Sequence, residues 1–142
     1  KLNLIIKELN LKKSDIKTYF DHAYCHGIPV KGLENLKEQL FGLEANFEEL
    51  NGIDFKKGCY VGQENTARMK LKNKLRRRLL PIKVESKINI GSEIMFDNNK
   101  IGKVLIDDPY PFGLIKLTEP DFSNFKNRLL TINGIKAKLI LI

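Results

Sequence analysis

Chemistry along this chain concentrates in one short run, Lys56-Lys57-Gly58-Cys59-Tyr60-Val61-Gly62-Gln63-Glu64, followed by Arg68. Gly58 and Gly62 flank a thiol, and glycine permits close backbone approach or a positive φ. Gln63 and Glu64 favour helix, which places Cys59 at or just before a helix start, where free amides and the helix dipole stabilise a thiolate. Lys57 and the cations further on act in the same sense, so Cys59 is expected to be a reactive, low-pKa thiol. The alternative is a buried structural cysteine, the commoner fate of that residue.

Other constellations are weaker. His22 and His26 stand four residues apart on an expected helix and could share a metal with Cys25. However, Cys25 lies about 100° around the helix from His26, and no fourth ligand follows at zinc-like spacing. Ordinary histidines near a helix end, and no metal, is the better reading. Nothing resembles a Ser-His-Asp set or a phosphate-cradling glycine loop. Two cysteines are too few for a disulfide framework, so both are read as free thiols in a reducing, cytoplasmic setting.

The formal net charge of +8 resides in one stripe. Arg68, Lys70, Lys72, Lys74, Arg76, Arg77, Arg78 and Lys83 lie in a stretch without an acid, and elsewhere basic and acidic residues balance. Such a stripe over residues 68–83 could bind polyanions weakly: a tRNA, a polyglutamylated cofactor or an anionic surface. It reads equally as a solvated face, because aromatics are not interleaved with the cations as single-strand binders require.

The elements that must position these residues fall into two halves. Residues 2–9 form a short apolar run that reads as a buried strand. Ser14 and Asp15 then open a helix with Ile16, Tyr19, Phe20 and Ala23 on one face. Gly27-Ile28-Pro29 stops it. A second short helix is expected over 33–40 and a smaller turn over 46–50, closed by Asn51-Gly52. From about Arg76 onward come short apolar or alternating runs at 79–84, 93–96, 101–106, 112–117, 129–132 and 135–142. Asp97-Asn98-Asn99, Asp107-Asp108-Pro109 and Asn133-Gly134 separate them, the last being a two-residue type I′ hairpin signal. This is an α+β chain, with residues 1–75 an α/β portion and 76–142 a small antiparallel barrel or sandwich. With 142 residues and 42% hydrophobic content, it can bury a real core. No stretch approaches the ~20 apolar residues of a membrane span, and Lys1 opens the sequence without an initiator Met, a secretory signal or a transit pattern.

The Leu43-Glu44-Ala45-Asn46, Leu50-Asn51-Gly52-Ile53-Asp54-Phe55 and Lys57-Gly58-Cys59-Tyr60-x-Gly62-Gln63-Glu64 elements, with Arg68, resemble the signature of the YgfZ family. These are folate-binding proteins akin in fold to the glycine-cleavage aminomethyltransferase. The likeness is tight over about residues 27–82. It implies the end of a folate-cradling α/β body followed by the C-terminal barrel, with an N-terminal part of the fold missing. By this resemblance Cys59 is the functional thiol and Lys57, Gly58, Tyr60, Gly62, Gln63 and Glu64 form its loop, with Arg68 completing the motif. Glu44 is implied as a cofactor-binding residue, in an element where Gly42 replaces the usual Pro. The implied cofactor is tetrahydrofolate or another reduced folate, and the implied clients are iron–sulfur proteins whose clusters the family maintains, with a link to tRNA modification. The alternative is an aminomethyltransferase acting with tetrahydrofolate. One departure is Ala23, which stands four residues before Gly27, where the family carries an Arg able to clamp a folate glutamate tail.

Overall fold

The computed structural model describes residues 1–142 except Cys59, Asn73 and Lys74. Among the described residues, six strands close into an antiparallel barrel: β1 (Arg77–Val84), β2 (Glu93–Phe96), β3 (Asn99–Ile106), β4 (Phe112–Lys116), β5 (Leu130–Ile132) and β6 (Ile135–Leu139). The spatial order is β1-β4-β3-β2-β5-β6, with β6 returning to β1. Three helices precede the barrel: α1 (Leu2–Glu8), α2 (Ile16–Cys25) and α3 (Glu64–Leu71).

Turn chemistry builds the hairpins. Asp97-Asn98 and Asn133-Gly134 each place two successive residues at positive φ (45° and 63°, 50° and 79°). That is the backbone of a two-residue turn whose twist matches the strands. It sets the pairs Phe96↔Asn99 and Ile132↔Ile135. Leu80, Ile82, Ile94, Ile101, Val104, Ile115, Phe125, Leu130 and Ile132 fill the interior. Glycines admit the strands closely. A Cβ on Gly102 would lie 2.6 Å from the Leu114 carbonyl oxygen, and one on Gly113 would overlap the Cδ1 atoms of Ile94 and Ile82.

β1 is buried on both faces, which explains its unbroken Leu79-Leu80-Pro81-Ile82 run. Leu80 and Ile82 point into the barrel, whereas Leu79 joins Leu36, Ile106 and Phe112 in a second cluster outside it. Tyr24, Leu33 and Leu40 pack on that cluster, fastening the helical portion to the outer wall. α2 begins where the sequence indicates, with the Asp15 carboxylate accepting from Thr18 N at 2.9 Å. It ends before Gly27, which takes a left-handed φ of 69°.

Two expectations are corrected. Residues 2–9 are not a buried strand but helix α1, which buries none of its residues. Leu2, Ile5, Ile6 and Leu9 recur at helical spacing, and the closed barrel leaves no free edge for another strand. The helix expected over 33–40 is a single 3-10 turn, Leu33–Leu36. Lys37 leaves helical geometry at ψ 133° and Glu38 goes left-handed at φ 66°. The turn over 46–50 does close at Asn51, at a left-handed φ of 56°.

Candidate functional site

The motif loop is organised by its own side chains. Gly58 and Gly62 sit at φ +85° and +90°, and a Cβ on either would meet nothing. These glycines are therefore required for backbone conformation rather than for space. Of the residues before Gly62, Tyr60 and Val61 are exposed, at 70% and 99%. Gln63 Oε1 accepts from Lys57 Nζ at 2.9 Å and from the Tyr60 amide at 3.4 Å. Lys57 Nζ also lies 4.2 Å from the centroid of the Tyr60 ring, a cation–π distance. Glu64 Oε2 accepts from Gly62 N at 3.0 Å. Glu64 opens α3, where an acid suits the positive end of the dipole. Cys59 itself lies outside the described residues. α3 starts at Glu64, so Tyr60 to Gln63 separate Cys59 from the helix proper.

Beneath this loop is a cavity of about 580 Å³. Gly58 and Gln63 edge it, Phe47, Ile53 and Phe55 give it apolar walls, and Lys70 with Asp54 supplies charge. Glu44 does not line it. That carboxylate is 5% exposed and receives Arg77 Nε at 2.9 Å, Arg77 Nη2 at 3.2 Å and the Phe41 amide at 3.1 Å. Its backbone oxygen accepts from Leu79 N at 2.8 Å. Glu44 thus ties the 41–51 segment to β1. Arg68 is also apart from the cavity, beside Phe41, Asn65, Met69 and Lys72 in a smaller hollow. The structure therefore brings Gly58 and Gln63 to one cavity and sends Glu44 and Arg68 elsewhere. Nothing in its local sequence marks Phe47, while Phe55 stands out only within the family-like 50–55 element and Lys70 only as one cation of the basic stripe. Only folding joins residues on either side of the Asn51-Gly52 turn to α3.

The basic stripe is not a uniform cationic face. Lys70 pairs with Glu48, Arg77 with Glu44 and Arg78 with Glu49. Acids from the 41–51 segment thereby neutralise cations distant in sequence, which weakens the expectation of a polyanion surface over 68–83.

On α2, Ala23 is buried against the body, so this packing has no room for an arginine at its position. The His22 and His26 rings meet edge-on with centroids 4.5 Å apart, and Cys25 is an exposed free thiol. Among the described residues no group of three or more His, Cys, Asp or Glu side chains is placed to share a metal ion. The Tyr24 hydroxyl donates to Ile82 O at 2.5 Å, locking α2 to β1. Burial, with smaller contributions from Cys25 and Tyr110, pushes the Tyr24 phenol well above its usual range. The Tyr110 hydroxyl bonds to Asp21, whose carboxyl is held below the usual range first by Lys17 and then by Tyr110.

No family model matches the chain. Relatives that it matches are named as iron–sulfur cluster assembly factors. It is 44% identical over 124 residues to the mitochondrial IBA57 homolog of Neurospora crassa, a match covering 87% of this chain and 24% of that protein. It is 40% identical over 70 residues to the human mitochondrial factor IBA57, covering 49% of this chain and 19% of that protein. The mouse counterpart is 39% identical over 71 residues, covering 50% and 20%. The matched regions span 15–24% of the length of such relatives. All three are named as mitochondrial, which overturns the cytoplasmic expectation. That expectation rested on two cysteines being too few for a disulfide framework, which points to a reducing setting and does not distinguish one reducing compartment from another. Among the described residues no helix is long and apolar enough to cross a membrane.

Proposed function

We propose that this chain acts in mitochondria in the assembly of iron–sulfur proteins, with the 57–64 loop as its working element and Cys59 as the functional thiol. The observation that carries the reading is the 44% identity to the Neurospora crassa assembly factor, which extends over 87% of the chain. The geometry agrees with it. A glycine-hinged, solvent-facing turn stands over a cavity large enough for a small ligand. A thiolate in such a turn is a soft ligand and a nucleophile, the two properties useful toward iron–sulfur clients.

For a reduced folate the residues divide. The Glu44 carboxylate is fully engaged by Arg77 and Phe41, and we assign it no cofactor contact. The cavity fits better: about 580 Å³ with Phe47 and Phe55 in its wall suits a flat heteroaromatic ring. Asp54 could accept from the N–H groups of such a ring, whereas Lys70 in the same wall is already paired with Glu48. A folate bound there would supply one-carbon or pterin chemistry beside the loop. The chain's own residues would hold and orient it.

The test of the reading is complementation. In cells lacking the parent protein, Cys59→Ser should leave the protein folded and abundant yet fail to restore iron–sulfur enzyme activity. Equal rescue by variant and parent would overturn the assignment of the thiol.

A further inference from the structure

The last turn of α2 gathers donor groups that the chemistry of the 57–64 loop leaves unused. His22 and His26 are both exposed, and their rings meet edge to face with centroids 4.5 Å apart. They are the only two histidines in the chain. Residues four apart on a helix lie on one face, and this turn keeps that relation to its end. The His26 amide donates to the carbonyls of His22 and Ala23 at 3.3 and 3.1 Å, and Gly27 then turns left-handed at φ 69°.

α2 is also anchored to the barrel. Ala23 is buried, and the Tyr24 hydroxyl donates to Ile82 O. On the flank, the Tyr110 hydroxyl bonds to Asp21. With the inner face held in this way, the two imidazoles are presented to solvent from a fixed backbone. Two ring nitrogens brought together so form a chelate: once one imidazole holds a cation, the second binds it intramolecularly. The gain is greater where the backbone is set in advance. Imidazole suits borderline divalent ions such as zinc.

The pair stands without further protein ligands. Among the described residues no group of three His, Cys, Asp or Glu side chains is placed to hold a metal ion. Asp21, an acid on the same helix, is engaged by Lys17 and Tyr110. The arrangement is therefore open, unlike the closed four-ligand shell of a structural zinc. Space for the remaining ligands is at hand: His22 borders an open hollow of about 520 Å³ that Ile16 and Tyr19 also line. Water or a donor group from a bound partner can fill those positions.

We propose that His22 and His26 form a labile two-histidine site for a zinc-type divalent cation on the outer face of α2. The site stands apart from the 57–64 loop and does not depend on the role assigned to Cys59.

The test is a zinc titration of the folded chain, followed through the carbon–proton NMR signals of its two imidazoles. In the parent, both rings are expected to shift together with a common midpoint. His22→Gln should raise the zinc concentration needed to shift His26 at least about ten-fold, and His26→Gln should do the same for His22, because each leaves a single imidazole. Magnesium, which prefers oxygen ligands, should leave both signals unmoved. Both positions are exposed, so the variants should keep the parent's circular dichroism spectrum. Separate midpoints for the two rings, or single variants that titrate like the parent, would overturn the chelate. Zinc uptake with both imidazole signals unmoved, as binding by a thiol would give, would overturn it equally.

Discussion

Removing the Glu44 carboxylate should destabilise the whole chain, because that side chain joins the 41–51 segment to the first barrel strand. The carboxylate is 5% exposed and accepts two bonds from Arg77 and one from the Phe41 amide, while the Arg77 side chain remains 45% exposed. Breaking a fully buried pair costs about 3–5 kcal/mol, and a hydrogen bond to a charged group contributes about 1.5–3 kcal/mol. Arg77 can recover water when its partner is lost, which argues for the lower part of those ranges. We expect about 2–3 kcal/mol for Glu44→Ala and about 1–2 kcal/mol for Glu44→Gln, which keeps one acceptor. In a chain of this size about 3 °C accompanies each kcal/mol, so Glu44→Ala should melt roughly 6–9 °C lower. Arg77→Ala should cost at least as much, since it leaves a buried carboxylate unpaired, and the double variant should cost less than the sum of the two. Urea titration followed by far-ultraviolet circular dichroism measures all three. A Glu44→Ala chain within about 0.5 kcal/mol of the parent would refute the argument, and would return Glu44 to the pool of residues available to a ligand.

Two further outcomes follow from the barrel wall. Gly102→Ala should destabilise by about 1–3 kcal/mol, and more than Gly113→Ala. Its Cβ would strike the Leu114 backbone oxygen, whereas at Gly113 the obstruction is the mobile ends of isoleucine side chains; equal melting temperatures for the two variants would contradict this. Tyr24→Phe should cost about 1 kcal/mol at neutral pH through the lost bond to Ile82 O. Because the folded-state phenol is raised above the ordinary value of about 10, its contribution is complete below that pH and declines as pH rises through the alkaline range. Tyr24→Phe should therefore lose stability less steeply above pH 10 than the parent, and parallel stability–pH curves would count against that account.

Local physics was legible in the sequence wherever it acts over a few residues. Asn133-Gly134 and Asp97-Asn98 announced their turns because positive φ is a property of the residues themselves, and Asp15 announced a helix start because its carboxylate reaches only as far as Thr18. The barrel strands could be read from alternation and turn spacing. Residues 2–9 could not, because a short apolar run leaves helix and strand undecided until it is known whether any strand edge is free. The loop of residues 57–64 was recognisable as a chemical element, yet its internal wiring was not. That Gln63 rather than Glu64 would receive Lys57 depends on backbone angles at Gly58 and Gly62. Tertiary structure alone decided the rest. It closed the strands in the order β1-β4-β3-β2-β5-β6, and brought Glu44, Glu48 and Glu49 onto Arg77, Lys70 and Arg78. It also assembled Phe47, Phe55 and Lys70 into one cavity wall. Charge neutralisation and cavity formation are relations between residues far apart in the chain. They exist only after the core, by burying both faces of β1, has fixed which segments lie side by side.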